Sequence, residues 1–79
     1  MIREHGPVIL RAAVPQYGLR PGDIGYVVHI YQGAAAYEVE FMTLAGETVT
    51  VETLRSDQVR AADRAEIPSA RLANVHLSI

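Results

Sequence analysis

The sequence predicts an all-β fold: five short strands wrapped into a small barrel, followed by a C-terminal extension. Three observations predict it. Residues 24–31 (Ile-Gly-Tyr-Val-Val-His-Ile-Tyr) are dense in side chains that favour a pleated strand. Residues 37–42 alternate Tyr37, Val39 and Phe41 with Glu38, Glu40 and Met42, the two-residue period of a half-buried strand. Pro15, Gly18, Pro21, Gly22, Gly33 and Gly46 break the chain at short intervals, as turns between strands require.

The elements follow in order. Residues 1–6 form a polar lead-in. The first strand spans 7–13 with Val8, Ile9 and Leu10 at its centre, and Pro7 suits a first strand residue. A long loop, 14–23, follows. Loops of this length often carry binding; the alternative is that it caps one end of the barrel with Leu19 tucked into the core. The second strand is 24–31, with room for a bulge near Gly25, and the third is 36–43. A three-residue loop, Leu44-Ala45-Gly46, wants a left-handed residue last, where Gly46 stands. It sets Phe41 opposite Val49 and Val39 opposite Val51, on a fourth strand spanning 47–54. A four-residue turn at 32–35 sets Ile30 opposite Tyr37 and Val28 opposite Val39. The expected inward set is Tyr26, Val28, Ile30, Tyr37, Val39, Phe41, Val49 and Val51, with Val27 ambiguous. Residues 55–57 form a tight 3₁₀ turn, and a fifth strand, 58–61, points Val59 inward. Five short strands, a long first loop and a 3₁₀ turn before the last strand describe an SH3-like barrel over residues 1–62.

The extension, 63–79, is a separate problem. Pro68-Ser69 can open a short helix with Ser69 as N-cap. Val75, Leu77 and Ile79 then alternate with His76 and Ser78 in a strand-like manner. The extension either packs on this barrel or on a second copy, giving a homodimer, or it is a mobile tail.

The totals bound the function. A chain of 79 residues is one small domain, and such a chain buries only about 60% of its unfolded surface. It contains no cysteine, which excludes disulfides and thiolate metal sites and fits a reducing cytoplasm. The first ten residues lack the apolar run of a signal peptide, and no stretch approaches the roughly 20 apolar residues of a membrane span. A cytoplasmic protein without membrane contact is expected. Net charge is −2, with seven Arg and no Lys, too little positive charge for a general nucleic-acid binder.

No Gly-x-Ser-x-Gly elbow surrounds Ser56, Ser69 or Ser78, and without Lys there is no phosphate-binding loop. The expected register places His29, Glu38 and Glu52 in one outward row and Glu40 in the next. Glu38 opposite Glu52 is a like-charge pair, normally unfavourable. Such a row is a solvated face, an acidic surface for an Arg-rich partner, or three ligands for a divalent ion. Tyr17 and Tyr31, with Pro15, suggest either an aromatic groove for a proline-rich segment or barrel-rim packing. Asp23 is expected to bond turn amides. The candidate partner-binding residues are therefore Tyr17, Arg20, His29, Tyr31, Glu38, Glu40 and Glu52. No catalytic residue, cofactor or metal is assigned.

Several of these segments together resemble a family of short bacterial proteins of unknown function: Ile2-Arg3-Glu4, the run from Gly18 to Val28, Tyr37-Glu38-Val39-Glu40-Phe41, Thr53-Leu54 and Asp57-Gln58-Val59-Arg60. The resemblance covers residues 1–62 and leaves the chain from Asp63 onward outside it. It implies an SH3-type barrel without established catalytic residues. It also implies a partner, another small protein encoded alongside, in an antitoxin-like arrangement. A weaker similarity joins Gly22-Asp23-Ile24-Gly25-Tyr26-Val27 to the nucleic-acid and ribosome-binding barrels of the transcription-factor type. The sequence thus predicts a non-catalytic protein-binding module, with a weak nucleic-acid-binding barrel using Arg20, Arg55 and Arg60 as the alternative.

Overall fold

The computed structural model describes residues 1–73. The strand-like reading of Val75, Leu77 and Ile79 lies outside the described residues. Five antiparallel strands make the fold: β1 (Pro7–Leu10), β2 (Ile24–Ile30), β3 (Ala36–Met42), β4 (Thr48–Arg55) and β5 (Val59–Ala61). They form one sheet in the order β4-β3-β2-β1-β5. The all-β class is as expected. The closed barrel is not: β4 and β5 stand at opposite ends of the sheet and pair with no further strand among the described residues. The sheet curls instead, because Leu54 on β4 and Val59 on β5 share one core with Val8, Leu10, Val27, Val39 and Phe41.

The long first loop is built from a 3₁₀ turn, Pro15–Tyr17, closed by a backbone bridge between Val14 and Leu19. Val14 and Leu19 are both buried, so the loop caps the core as well as connecting strands. The lead-in continues the sheet beyond Pro7, since the His5 N–H donates to the Val27 carbonyl (2.6 Å) and the Val27 N–H to the Gly6 carbonyl (3.0 Å). A 3₁₀ turn, Ser56–Gln58, precedes β5 as expected, and the Arg55 N–H donates to the Gln58 side-chain oxygen at 2.8 Å.

Two bulges correct the expected register. The loop Leu44-Ala45-Gly46 forms as read, with Gly46 left-handed at φ 83°. However, Met42 pairs with Thr48 while Phe41 pairs with Thr50, so Val49 is an extra residue on β4. A one-residue slip turns the rest of that strand over. Val39 consequently faces Glu52 instead of Val51, and Val51 lies outside. On β2, Ile30 faces Tyr37 as expected, yet Val27, not Val28, faces Val39, because Val28 is the bulged residue. Val27 is fully buried, whereas Tyr26 and Val28 are exposed.

Gly25 explains how tightly the inner face closes. A Cβ at this position would lie 2.4 Å from Val39 Cγ1 and 2.9 Å from Phe41 Cε1. The absence of a side chain lets β3 pack directly on the β2 backbone.

Ile9 is 5% exposed yet lies outside the central core, because it alternates with Val8 and Leu10 and so points to the other face of β1. Residues 62–73, an irregular strap, cross that face. The short helix expected after Pro68 does not form among the described residues; the chain there is irregular after a turn at Arg64-Ala65. A proline at 68 biases the preceding residue toward extended backbone, and the strap's polar anchors hold it in that form.

Candidate functional site

The outer surface of the sheet carries two arrangements of side chains. The first lies over β2, β3 and β4. Register places His29, Glu38 and Thr53 in one row and Tyr26, Glu40 and Val51 in the next. The Thr53 hydroxyl donates to Glu38, and the Thr48 hydroxyl donates to Glu40 at 2.6 Å. The His29 and Tyr31 rings meet edge to face with centroids 4.7 Å apart, a favoured aromatic geometry. Around these polar groups Tyr26, Val28, Met42 and Val51 are 41%, 38%, 41% and 44% exposed.

The like-charge pair expected between Glu38 and Glu52 does not exist. The Val49 bulge sets Thr53 opposite Glu38 and turns Glu52 to the inner side of β4, where it accepts a hydrogen bond from the Thr50 hydroxyl at 2.7 Å. A hydroxyl opposite a carboxylate satisfies it, where a second carboxylate would repel it. The same inversion removes the reading of His29, Glu38 and Glu52 as one metal site, since Glu52 is on the other face. No group of three or more metal-ligating side chains occurs among the described residues.

The seven candidate residues divide accordingly. His29, Tyr31, Glu38 and Glu40 share the outer face. Glu52 does not. Tyr17 and Arg20 belong to the first loop, at the end of β2 opposite to Tyr31, and a strand of seven residues separates them by roughly 20 Å. Arg55 is bonded to Asp57 at 3.2 Å and Arg60 to Glu66 at 2.8 Å, so two of the three arginines considered for nucleic acid already hold carboxylates.

The second arrangement lies on the outer side of β1 and β2. Register aligns Ile24, Ile9 and Arg60 across β2, β1 and β5. Arg60 grips Glu66 through two bonds of 2.8 Å, and the Asp63 N–H donates to the same carboxylate at 2.8 Å. This pairing holds the strap over Ile9. The Arg60 guanidinium and, secondarily, the Asp63 amide depress the Glu66 carboxyl to about 2.

A further clasp lies at the end of the first loop. Arg71 Nε donates to Asp23 Oδ1 at 2.8 Å, Nη2 donates to Asp23 Oδ2, and Nη2 also reaches the Gly18 carbonyl at 2.9 Å. The Asp23 and Arg71 side chains are only 18% and 27% exposed. Asp23 also accepts the Arg20 N–H at 2.8 Å, which is the turn role expected of it. Burial pushes its carboxyl up, but the Arg71 and Arg20 hydrogen bonds outweigh burial and hold it below the usual aspartate range. The strap and the sheet enclose an open groove of about 400 Å³ floored by Pro7, Ile9, Ile24 and Tyr26. Nothing in the sequence pattern points to the clasp, because Asp23 and Arg71 are 48 positions apart.

The comparisons with known proteins fit this division. The profile of a family described as a domain of unknown function, DUF4926, matches residues 4–61. The chain belongs to the DUF4926 family. The match takes in all five strands and the Asp23 loop, and the strap lies beyond it. No curated protein and no solved structure matches the chain. Among the described residues, no helix is long and apolar enough to cross a membrane.

Proposed function

We propose that this protein is a non-catalytic protein-binding module of the bacterial cytoplasm, the antitoxin-like or accessory half of a two-protein system. The observation that carries the reading is the outer face of β2, β3 and β4. Four large apolar side chains stand about two-fifths exposed there, interleaved with Glu38 and Glu40. Apolar residues set around two carboxylates suit a partner that offers an apolar anchor beside arginine or lysine. Within the all-β class, an SH3-like assignment is supported by the strand order, the long first loop and the 3₁₀ turn before β5. The nucleic-acid alternative has less support, because Arg55 and Arg60 are engaged by Asp57 and Glu66.

The test is co-expression with the product encoded next to this chain, followed by affinity capture. The expected result is a stoichiometric complex that Val51→Asp weakens at least tenfold, since a buried unpaired charge at an interface is costly. Capture that is indifferent to Val51→Asp, or no complex at all, overturns the reading of this face.

A further inference from the structure

The Asp23 clasp has the properties of a receptor occupied by its own chain. The receptor is built without the strap: the Arg20 N–H fixes Oδ2 of Asp23, and the Leu10 N–H bonds the Asp23 carbonyl at 2.8 Å. The Gly18 carbonyl faces the same point, so a guanidinium entering there meets two carboxylate oxygens and one carbonyl oxygen. That donor–acceptor match selects arginine over lysine.

The occupant fits its seat poorly in one respect. The strap brings no apolar anchor: Ile67 and Leu72 are 90% and 91% exposed, although the groove beside them is floored by Ile9, Ile24 and Tyr26. Its hold rests on two ion pairs, the more exposed Arg60–Glu66 and the part-buried Arg71–Asp23. The exposed pair contributes little, so the Arg71 seat carries most of the cost of holding a segment of irregular backbone in place. The receptor also lies inside the family match at 4–61, and the strap lies outside it.

We propose that the Asp23–Gly18 seat and the adjoining groove form a binding site for an extended, arginine-bearing segment of a partner protein, and that the strap covers this site in cis as a displaceable surrogate. The guanidinium of the incoming segment takes the place of Arg71, and a neighbouring apolar side chain packs on the part of the floor, at Ile24 and Tyr26, that Ile67 leaves uncovered. The chain's net charge of −2 favours a basic segment. The site meets the β2–β4 face at Tyr26 and does not depend on that face being an interface.

The test uses the full chain and a labelled peptide of the strap sequence, Glu-Ile-Pro-Ser-Ala-Arg-Leu-Ala, with a control peptide carrying alanine in place of its arginine. Arg71→Ala vacates the seat on an exposed segment away from the core, so the fold is retained. The Arg71→Ala chain is expected to bind the arginine peptide at least tenfold tighter than the unmodified chain, whose tethered Arg71 competes. The control peptide is expected to lose that gain, and so is the Asp23→Asn, Arg71→Ala double variant. Val51→Asp in the Arg71→Ala background should leave peptide binding intact, which separates this site from the β2–β4 face. Equal binding by the unmodified and Arg71→Ala chains overturns the proposal, as does undiminished binding by the double variant. Sedimentation of the unmodified chain covers the other occupant: a dimer that Arg71→Ala converts to monomer assigns the seat to the strap of a second copy and also overturns it.

Discussion

The two halves of the sheet's outer surface obey different rules. Over β1 and β5, the row Ile24–Ile9–Arg60 is apolar at its centre, and the chain covers it with residues 62–73. Over β3 and β4, Glu38 and Glu40 each take a threonine hydroxyl, and the surface stays open to water. Tyr26 stands on the border, lining the strapped groove while sharing a row with Glu40 and Val51. The difference shows what decides whether a sheet face is covered. A β-branched apolar side chain gains from being shielded, whereas a carboxylate already paired with a hydroxyl gains nothing from further burial.

The largest effect should come from below both halves, at Gly25. Gly25→Ala forces a methyl into Val39 and Phe41 and should cost about 3 kcal/mol by overpacking. Because one core supports both halves, urea unfolding should remain a single transition at a lower midpoint. Two resolved transitions would break the idea of a shared core.

Next comes the contrast between the halves. Ile9→Ala, beneath the strap, should cost about 2 kcal/mol, while Val51→Ala on the open half should stay within about 0.5 kcal/mol. Equal losses in denaturant titrations would erase the distinction. A smaller penalty, about 1 kcal/mol, is expected for Gly46→Ala, since an alanine must hold the left-handed φ of 83°.

The smallest effect concerns acid. The folded-state value of Glu66 is about 2, below its ordinary 4.5, so its pairing with Arg60 contributes fully above pH 4.5 and fades as pH falls through 2. A carboxyl NMR titration should give Glu66 a midpoint near 2, rising toward 4.5 in Arg60→Ala. A midpoint near 4.5 in the unmodified chain would mean that the strap is not held there.

The sequence made the strands legible because alternation and turn chemistry are local. Tyr37, Val39 and Phe41 face inward as their spacing requires, and Gly46 takes the left-handed position that its loop needs. The bulges were less legible: room for one near Gly25, able to turn Val27 inward, is readable on β2, whereas nothing marks the one at Val49. Val28 and Val49 are apolar and β-branched, as are residues beside them, so residue type alone does not mark which one leaves the ladder. That one slip on β4 moved Glu52 and Val51 to the wrong faces in the reading. His29 and Glu38, on the near side of the bulge, were placed correctly opposite each other. The strap was illegible for another reason: a guanidinium and a carboxylate that meet across 48 residues leave no periodic trace.

Glu52 has a consequence for how the molecule meets its surroundings. It sits on the inner side of β4, the longest strand and, among the described residues, a margin of the sheet with no further strand beside it. A half-buried carboxylate on such a margin, beside the kink at Val49, spoils the flat ladder that another chain's backbone would need in order to zip on. Polymerisation through β4 is thereby discouraged, and recognition on that side is left to protruding groups.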